Sequence, residues 1–270
     1  MNNSKIDFYK GMTCVVTGAS SGIGEVFARS LAERGARLVL VARSQEKLLK
    51  LSAELRSKYG TPVEVLGLDL SSPDAAKKVF EFTQSRGLSV DILVNNAGFG
   101  RQDAFELCDP AECDEMLRVN ICAAVALARL FIPGMLQRKK GGVINVSSTA
   151  AFQPLPYFAL YAASKSFILH FSEALWGEYS GRGINILALC PGHTRTHFHA
   201  RAGVEDRHIR FADTPERVVR GALDAFSKGK PTLVSGKKNH MLSNLNRLFT
   251  RRSVIQIAGR IFKPAAVKAT

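Results

Sequence analysis

Thr13-Cys14-Val15-Val16-Thr17-Gly18-Ala19-Ser20-Ser21-Gly22-Ile23-Gly24 is the stretch on which the reading of this chain turns. A short apolar run passes directly into a glycine turn, and Glu25 to Arg34 continue with helical spacing. Strand, glycine turn and helix in that order make a phosphate cradle. Glycine lets the backbone turn tightly and approach a pyrophosphate, and the helix N-terminus offers N–H groups and partial positive charge. The pattern T-G-x-x-x-G-x-G is not the better-known G-x-G-x-x-G, and a bare glycine pattern also fits a structural turn. Its place after the first strand is what points to nucleotide binding by Gly18, Ser20, Ser21, Gly22, Ile23 and Gly24.

Downstream, apolar β-rich runs alternate with helical segments. The runs are Leu38 to Val41, Val63 to Leu68, Ile92 to Val94, Val143 to Val146, Ile184 to Leu189 and Thr232 to Val234. Their near-continuous hydrophobicity implies strands buried on both faces. Helices are expected near 22–35, 44–58, 72–86, 110–138, 158–180 and 215–228. Ser72-Pro73-Asp74 and Thr214-Pro215-Glu216 each place a capping hydroxyl before a proline at the first helical position. The pattern predicts an α/β fold, a doubly wound, Rossmann-like parallel sheet of about seven strands with helices on both faces. The 270 residues fit a single domain with a basic C-terminal extension from about residue 237.

Composition excludes several classes. Hydrophobic residues at 46% and charged residues at 22% suit a globular protein rather than a disordered one. Met1 to Asp7 lacks the basic start and apolar stretch of a secretory signal. The apolar stretch Val119 to Leu136 is broken by Asn120, Arg129 and Pro133 and reads as a buried helix. Five cysteines without a C-x-x-C pair read as reduced thiols, and the expected location is cytoplasmic. The formal charge of +14 is concentrated at the end, where residues 225–270 hold ten Lys or Arg and no acid. A solvated tail is the plain reading; weak contact with an anionic membrane surface is the alternative, and no nucleic acid is expected.

An NAD-binding chain presents an acid at the end of the second strand to hold the ribose 2′-OH. Here Val41-Ala42-Arg43-Ser44 offers none, and Arg43 is suited to a 2′-phosphate, which predicts NADP(H). Ser44 either adds a hydroxyl or caps the following helix.

Tyr161-Ala162-Ala163-Ser164-Lys165 falls on a predicted helix, where positions i and i+4 share a face. A nearby ammonium favours the phenolate and suits tyrosine to acid–base work. Y-x-x-x-K is common by chance, so its neighbours decide: Ser147-Ser148-Thr149 ends the fifth strand, Asn95-Asn96-Ala97-Gly98 closes the fourth, and Asn120 lies between them.

This set, from about Gly11 to Gly236, resembles the short-chain dehydrogenase/reductase family in its single-domain branch. The steps of 13 residues from Ser148 to Tyr161 and 41 from Asn120 to Tyr161 agree with the family's spacing, which selects Ser148 over Ser147. The resemblance implies that Tyr161 exchanges the proton with the reacting oxygen and that Ser148 hydrogen-bonds it. Lys165 would hold the nicotinamide ribose and depress the tyrosine pKa, and Asn120 would hold a relay water through local backbone. Asn96, Ala97 and Gly98 would shape the adenosine-ribose side, with Asp69 and Leu70 at the adenine. In Pro191-Gly192-His193-Thr194-Arg195-Thr196, Thr194 and then Thr196 would hold the carboxamide. Ser21 departs from NADP-dependent members that carry Arg or Lys there, leaving Arg43 as the main phosphate partner. The long helices near 110–138 and 158–180 would make subunit contacts in a dimer or tetramer.

Phe152, Pro154, Leu155, Pro156, Phe158 and Phe198 suggest an apolar pocket for a hydrophobic small-molecule ketone or alcohol. His193, His197 and His199 lack companions at ligand spacing, so no metal is expected. Two other functions fit the same fold: an NADP(H)-sensing regulator, or a membrane-surface adaptor using Met241, Leu242, Leu245, Leu248 and Phe249 among basic residues. Occupation of all four catalytic positions favours the enzyme.

Overall fold

Every residue of the first strand, β1 (Thr13–Thr17), is buried, because a central parallel strand turns apolar side chains to two covered faces. Six strands join it: β2 (Arg37–Ala42), β3 (Val63–Gly67), β4 (Ile92–Asn95), β5 (Gly142–Val146), β6 (Asn185–Cys190) and β7 (Thr232–Val234). All pair in parallel in the order β3-β2-β1-β4-β5-β6-β7. The expected doubly wound fold therefore forms, with its order reversing between β1 and β4. The computed structural model describes residues 7–196, Phe198, Ala202, 212–245 and 248–264; residues 1–6, His197, His199 and the side chain of Leu245 lie outside the described residues.

The helices, in chain order, are α1 (Gly22–Glu33), α2 (Gln45–Tyr59), α3 (Ala75–Ser85), α4 (Pro110–Leu117), α5 (Ala124–Arg138), α6 (Ala159–Tyr179), α7 (Pro215–Ser227), α8 (Lys237–Leu245) and α9 (Arg251–Phe262). On one face Phe27, Leu31, Leu48, Leu223 and Phe226 from α1, α2 and α7 pack with Val16 and Leu38. On the other, Val79, Leu127, Phe131 and Leu175 from α3, α5 and α6 pack with Val15 and Leu93. Each such side chain, fully buried, contributes about 1.5–3 kcal/mol.

Three local expectations need correction or completion. Helix α3 starts at Ala75 rather than after Ser72, because Asp69 turns the chain there: its carboxylate accepts from Ser71 N and Oγ, both at 2.9 Å. Ser72 then contributes its carbonyl to Ala75 N, not its hydroxyl as a cap. The Thr214 cap does form, with Arg217 N donating to Oγ1 at 3.4 Å and Pro215 in the first turn. The segment expected as one helix over 110–138 is interrupted by a π-helical turn, Arg118–Ala123, between α4 and α5. By length and composition this stretch could cross a membrane, but half of its apolar window is buried against α3 and the sheet.

Candidate active site

The reversal of strand order opens a crevice beyond the carboxyl ends of the strands, where ligands of open α/β sheets bind. The crevice has a volume of about 470 Å³ and runs from Arg43 at one end to Phe198 and Phe262 at the other. Its floor is the glycine turn. Gly18 sits at φ +65°, a left-handed conformation that a side chain would strain. Ser21 precedes α1 in extended conformation and makes no side-chain cap, so the first-turn N–H groups are not satisfied by it. Gly18, Ser20, Ser21, Gly22 and Ile23 all line the crevice.

Gly24 does not line it. A Cβ there would lie 2.3 Å from Gly18 O and 2.4 Å from Asn96 Nδ2, so this glycine serves the close approach of α1 to the turn. Asn96 works from the same side: its Nδ2 donates to Thr17 O at 2.8 Å and Gly18 O at 3.3 Å. Thr17, which the sequence reading did not single out, accepts on Oγ1 from Asn96 N and Ala97 N at 3.0 and 3.1 Å. The T of the glycine pattern thus ties the end of β1 to the end of β4.

Arg43 and Ser44 line the rim at the end of β2, and Asp69 and Leu70 line it after β3. Ser44 also caps α2, its hydroxyl accepting from Lys47 N at 3.5 Å. Arg43 pairs with Glu115 of α4, another crevice residue that sequence reasoning missed. Nothing local could have marked Glu115, since the pair joins residues 72 positions apart.

At the opposite end, the first turns of α6 carry Tyr161 and Lys165 on one face, both buried. Ser148, after β5, stands beside the Tyr161 hydroxyl and favours its charged form. Ser147 points elsewhere: its Oγ donates to Lys165 O at 2.6 Å. Lys165 Nζ donates to Val146 O at 2.9 Å and lies 5.8 Å from the centroid of the Tyr161 ring. Gly98 leaves the space for this, since a Cβ there would come within 3.1 Å of Nζ.

The electrostatics differ from the simple expectation of a lysine lowering a phenol. Burial disfavours both charged forms. It pushes the Tyr161 hydroxyl up to about 12, with the Ser148 hydrogen bond pulling the other way. It also pushes the Lys165 ammonium down to about 8. Burial, a tertiary property, sets the direction of both shifts.

Asn120 lies in the π turn, buried behind the crevice wall rather than in it. Its Oδ1 accepts from Phe99 N at 3.0 Å, and its Nδ2 donates to Phe99 O at 2.9 Å and Ser164 Oγ at 3.0 Å. The side chain therefore pins the segment after β4 to α6, beside the face that carries Tyr161 and Lys165.

After β6, Pro191, Gly192, Thr194 and Thr196 line the crevice. Thr194 is buried, with Oγ1 donating to Gly192 O at 3.0 Å. A Cβ on Gly22 would meet the Thr196 methyl at 3.2 Å, so this segment faces the glycine turn across the crevice. Leu155, Phe158 and Phe198 line the apolar end, whereas Phe152, Pro154 and Pro156 do not. Phe262, near the chain's end, lines it as well, a contribution the sequence reading missed. Among the described residues no group of His, Cys, Asp and Glu is placed to hold a metal ion.

The residues fit a dinucleotide: a helix N-terminus and glycine backbone for phosphates, a basic rim, and a buried Tyr-Lys pair at the far end. Fold and site together define a nucleotide-dependent oxidoreductase of the open α/β class. The chain belongs to the short-chain dehydrogenase family, whose family model, described as short chain dehydrogenase, matches residues 12–206. It is 33% identical over 236 residues to the very-long-chain 3-oxoacyl-CoA reductase of Bos taurus, covering 86% of this chain and 73% of that protein. Among solved structures, a short-chain dehydrogenase from Sphingobium yanoikuyae in complex with NADPH superposes with a TM-score of 0.80 at 32% identity, covering 88% and 92% of the two chains. A 7β-hydroxysteroid dehydrogenase superposes with a TM-score of 0.85 at 26% identity, covering 94% and 99%.

Proposed function

We propose that the protein is an NADP(H)-dependent reductase of a hydrophobic carbonyl compound, with Tyr161 as the proton donor. The observation that carries this reading is the buried Tyr161, with Ser148 beside its hydroxyl and Phe158 and Phe198 against its ring, at the apolar end of a crevice whose other end is the glycine turn. Bound there, the dinucleotide would supply the hydride. Tyr161 Oη gives its proton to the carbonyl oxygen, and takes one back from the alcohol in the reverse direction. Ser148 Oγ holds the same oxygen by a hydrogen bond. Lys165 binds the ribose hydroxyls, and Asn120 fixes the backbone against which the proton is restored. A phenol held near 12 is protonated at neutral pH, which suits donation in the direction of reduction.

Arg43 would hold the 2′-phosphate, Asp69 and Leu70 the adenine, Asn96, Ala97 and Gly98 the adenosine-ribose side, and Thr194 and Thr196 the carboxamide. NADPH in the Sphingobium structure supports the cofactor, and the long-chain acyl and steroid relatives support a hydrophobic substrate. Half-exposed apolar groups on α5 and α6, among them Leu130 and the stacked pair Phe167 and Phe171, support a homo-oligomer, dimer or tetramer. We further propose one catalytic domain, with α8 and α9 folded back on it, working in the reducing aqueous interior of the cell.

A screen of NADPH oxidation over hydrophobic ketones and aldehydes, with Tyr161→Phe as control, tests the assignment. Turnover lost in the variant is expected. Tight NADPH binding with no turnover on any carbonyl would replace the enzyme by a cofactor-sensing regulator.

A further inference from the structure

Helix α9 has two unlike sides. Inward, Ala258 is buried in the cluster that contains Tyr161, Leu155 and Phe158, and Phe262 reaches the crevice itself. Gly259 lies against Pro156, 3.4 Å from where its Cβ would stand. Outward, Ile257 and Ile261, one helical turn apart, are exposed beside Arg260. Helix α8 sits at the same end of the molecule: Asn239 packs against Gly192 and donates to Ser235 O at 2.7 Å, while Met241 and Leu242 are exposed. Between the helices, Leu248 is 78% exposed and Phe249 53%.

With Ile255, seven large apolar side chains among the described residues thus stand in the open between residues 241 and 261, among Lys237, Arg251, Arg252 and Arg260. Exposed apolar groups gathered this way mark an interaction surface. The charge selects the occupant, because residues 225–270 contain ten Lys or Arg and no Asp or Glu. A second copy of this face would set like charges against each other, since a two-fold contact pairs a patch with itself. A lipid surface satisfies both components at once, its acyl boundary taking the apolar groups and its anionic headgroups the basic ones.

We propose that α8, α9 and the exposed pair Leu248 and Phe249 seat the protein on an anionic phospholipid surface, so that the wall of the substrate crevice is also the membrane-facing helix. With a helix about 10–12 Å across, a hydrophobic carbonyl would pass from bilayer to crevice over roughly one helix width. This part rests on the reading of the crevice given under Proposed function; the lipid contact itself does not.

The test is co-sedimentation of the full chain with phosphatidylcholine vesicles and with mixed phosphatidylcholine–phosphatidylglycerol vesicles. It is compared with Leu248→Ser/Phe249→Ser and with Arg251→Glu/Arg252→Glu, none of which touches the crevice. Binding to the anionic vesicles is expected, falling about tenfold in either double variant and weakening with salt. NADPH oxidation with a water-soluble ketone should stay unchanged in both. Failure to bind either vesicle, equal binding to both compositions, or binding unaffected by both double variants overturns the proposal. So does a drop in oligomer mass in the variants with vesicle binding intact, which would make the face a contact between copies. If the chain binds anionic vesicles as described yet turns over no carbonyl at all, the surface stands and the reductase reading falls.

Discussion

Arg43 Nη1 and Glu115 Oε1 meet at 3.0 Å across the rim of the crevice, joining the end of β2 to α4. Both side chains are partly open to solvent, at 51% and 33% exposure, so the pair is worth no more than about 1 kcal/mol. A 2′-phosphate bound at Arg43, with more charge and room for two parallel hydrogen bonds, would outcompete one screened carboxylate. Glu115 would then stand as a nearby negative charge tempering the preference for the phosphorylated cofactor. Arg43→Asp is expected to lower the NADPH/NADH ratio of kcat/KM by at least about tenfold, or 1.4 kcal/mol, and Glu115→Gln to raise it. Steady-state kinetics with both cofactors decides; ratios unchanged in both variants would remove Arg43 from the phosphate site.

Tyr161→Phe keeps the ring in its apolar cluster and deletes only the hydroxyl. A loss of about 10²–10⁴ in kcat is expected, with NADPH binding by fluorescence titration nearly unchanged. Ser148→Ala should cost less, because it removes one hydrogen bond and leaves the proton donor in place.

The lowered pKa of Lys165 makes a stability prediction with a definite sign. Between about pH 8 and the lysine's ordinary value of 10.5, the unfolded chain binds a proton that the folded chain has lost. Folding stability therefore rises with pH through this group above 8, by at most about 1.4 kcal/mol per pH unit. Tyr161, raised to about 12, acts in the opposite sense, but only above pH 10, where the unfolded phenol ionises. In urea titrations from pH 8 to 10, Lys165→Met should show a shallower rise than the parent protein; equal slopes would mean that Lys165 is not desolvated.

Gly24→Ala places a methyl 2.3 Å from Gly18 O, which the backbone can relieve only by moving α1 off the turn. We expect a destabilisation of about 1–3 kcal/mol and a marked loss of NADPH affinity. Thermal unfolding with and without cofactor measures both; a variant with unaltered Tm and affinity would show that the turn tolerates the shift.

What the sequence revealed and what it concealed follow from the range of the interactions. The strands, the glycine turn and the Tyr161–Lys165 spacing are local patterns of period 2 and 3.6 or fixed turns, and they were legible. The Ser72 cap misled because Asp69, three residues upstream, takes over the turn with its carboxylate. The π turn at Arg118–Ala123 leaves no mark in an apolar helical pattern. Glu115 and Phe262 reach the crevice through tertiary packing alone. The pKa of Tyr161 went the other way from the charge argument because a neighbour can be read from spacing, whereas desolvation requires the whole surrounding wall.

Phe262 and Ala258 belong to the last described helix whereas Tyr161 and Lys165 belong to α6, so two separate elements wall the apolar end of the crevice. Exchanges at Phe262 would reshape the apolar end of the crevice, whereas Ala258, packed in the cluster that holds Tyr161, is tied to the position of that ring.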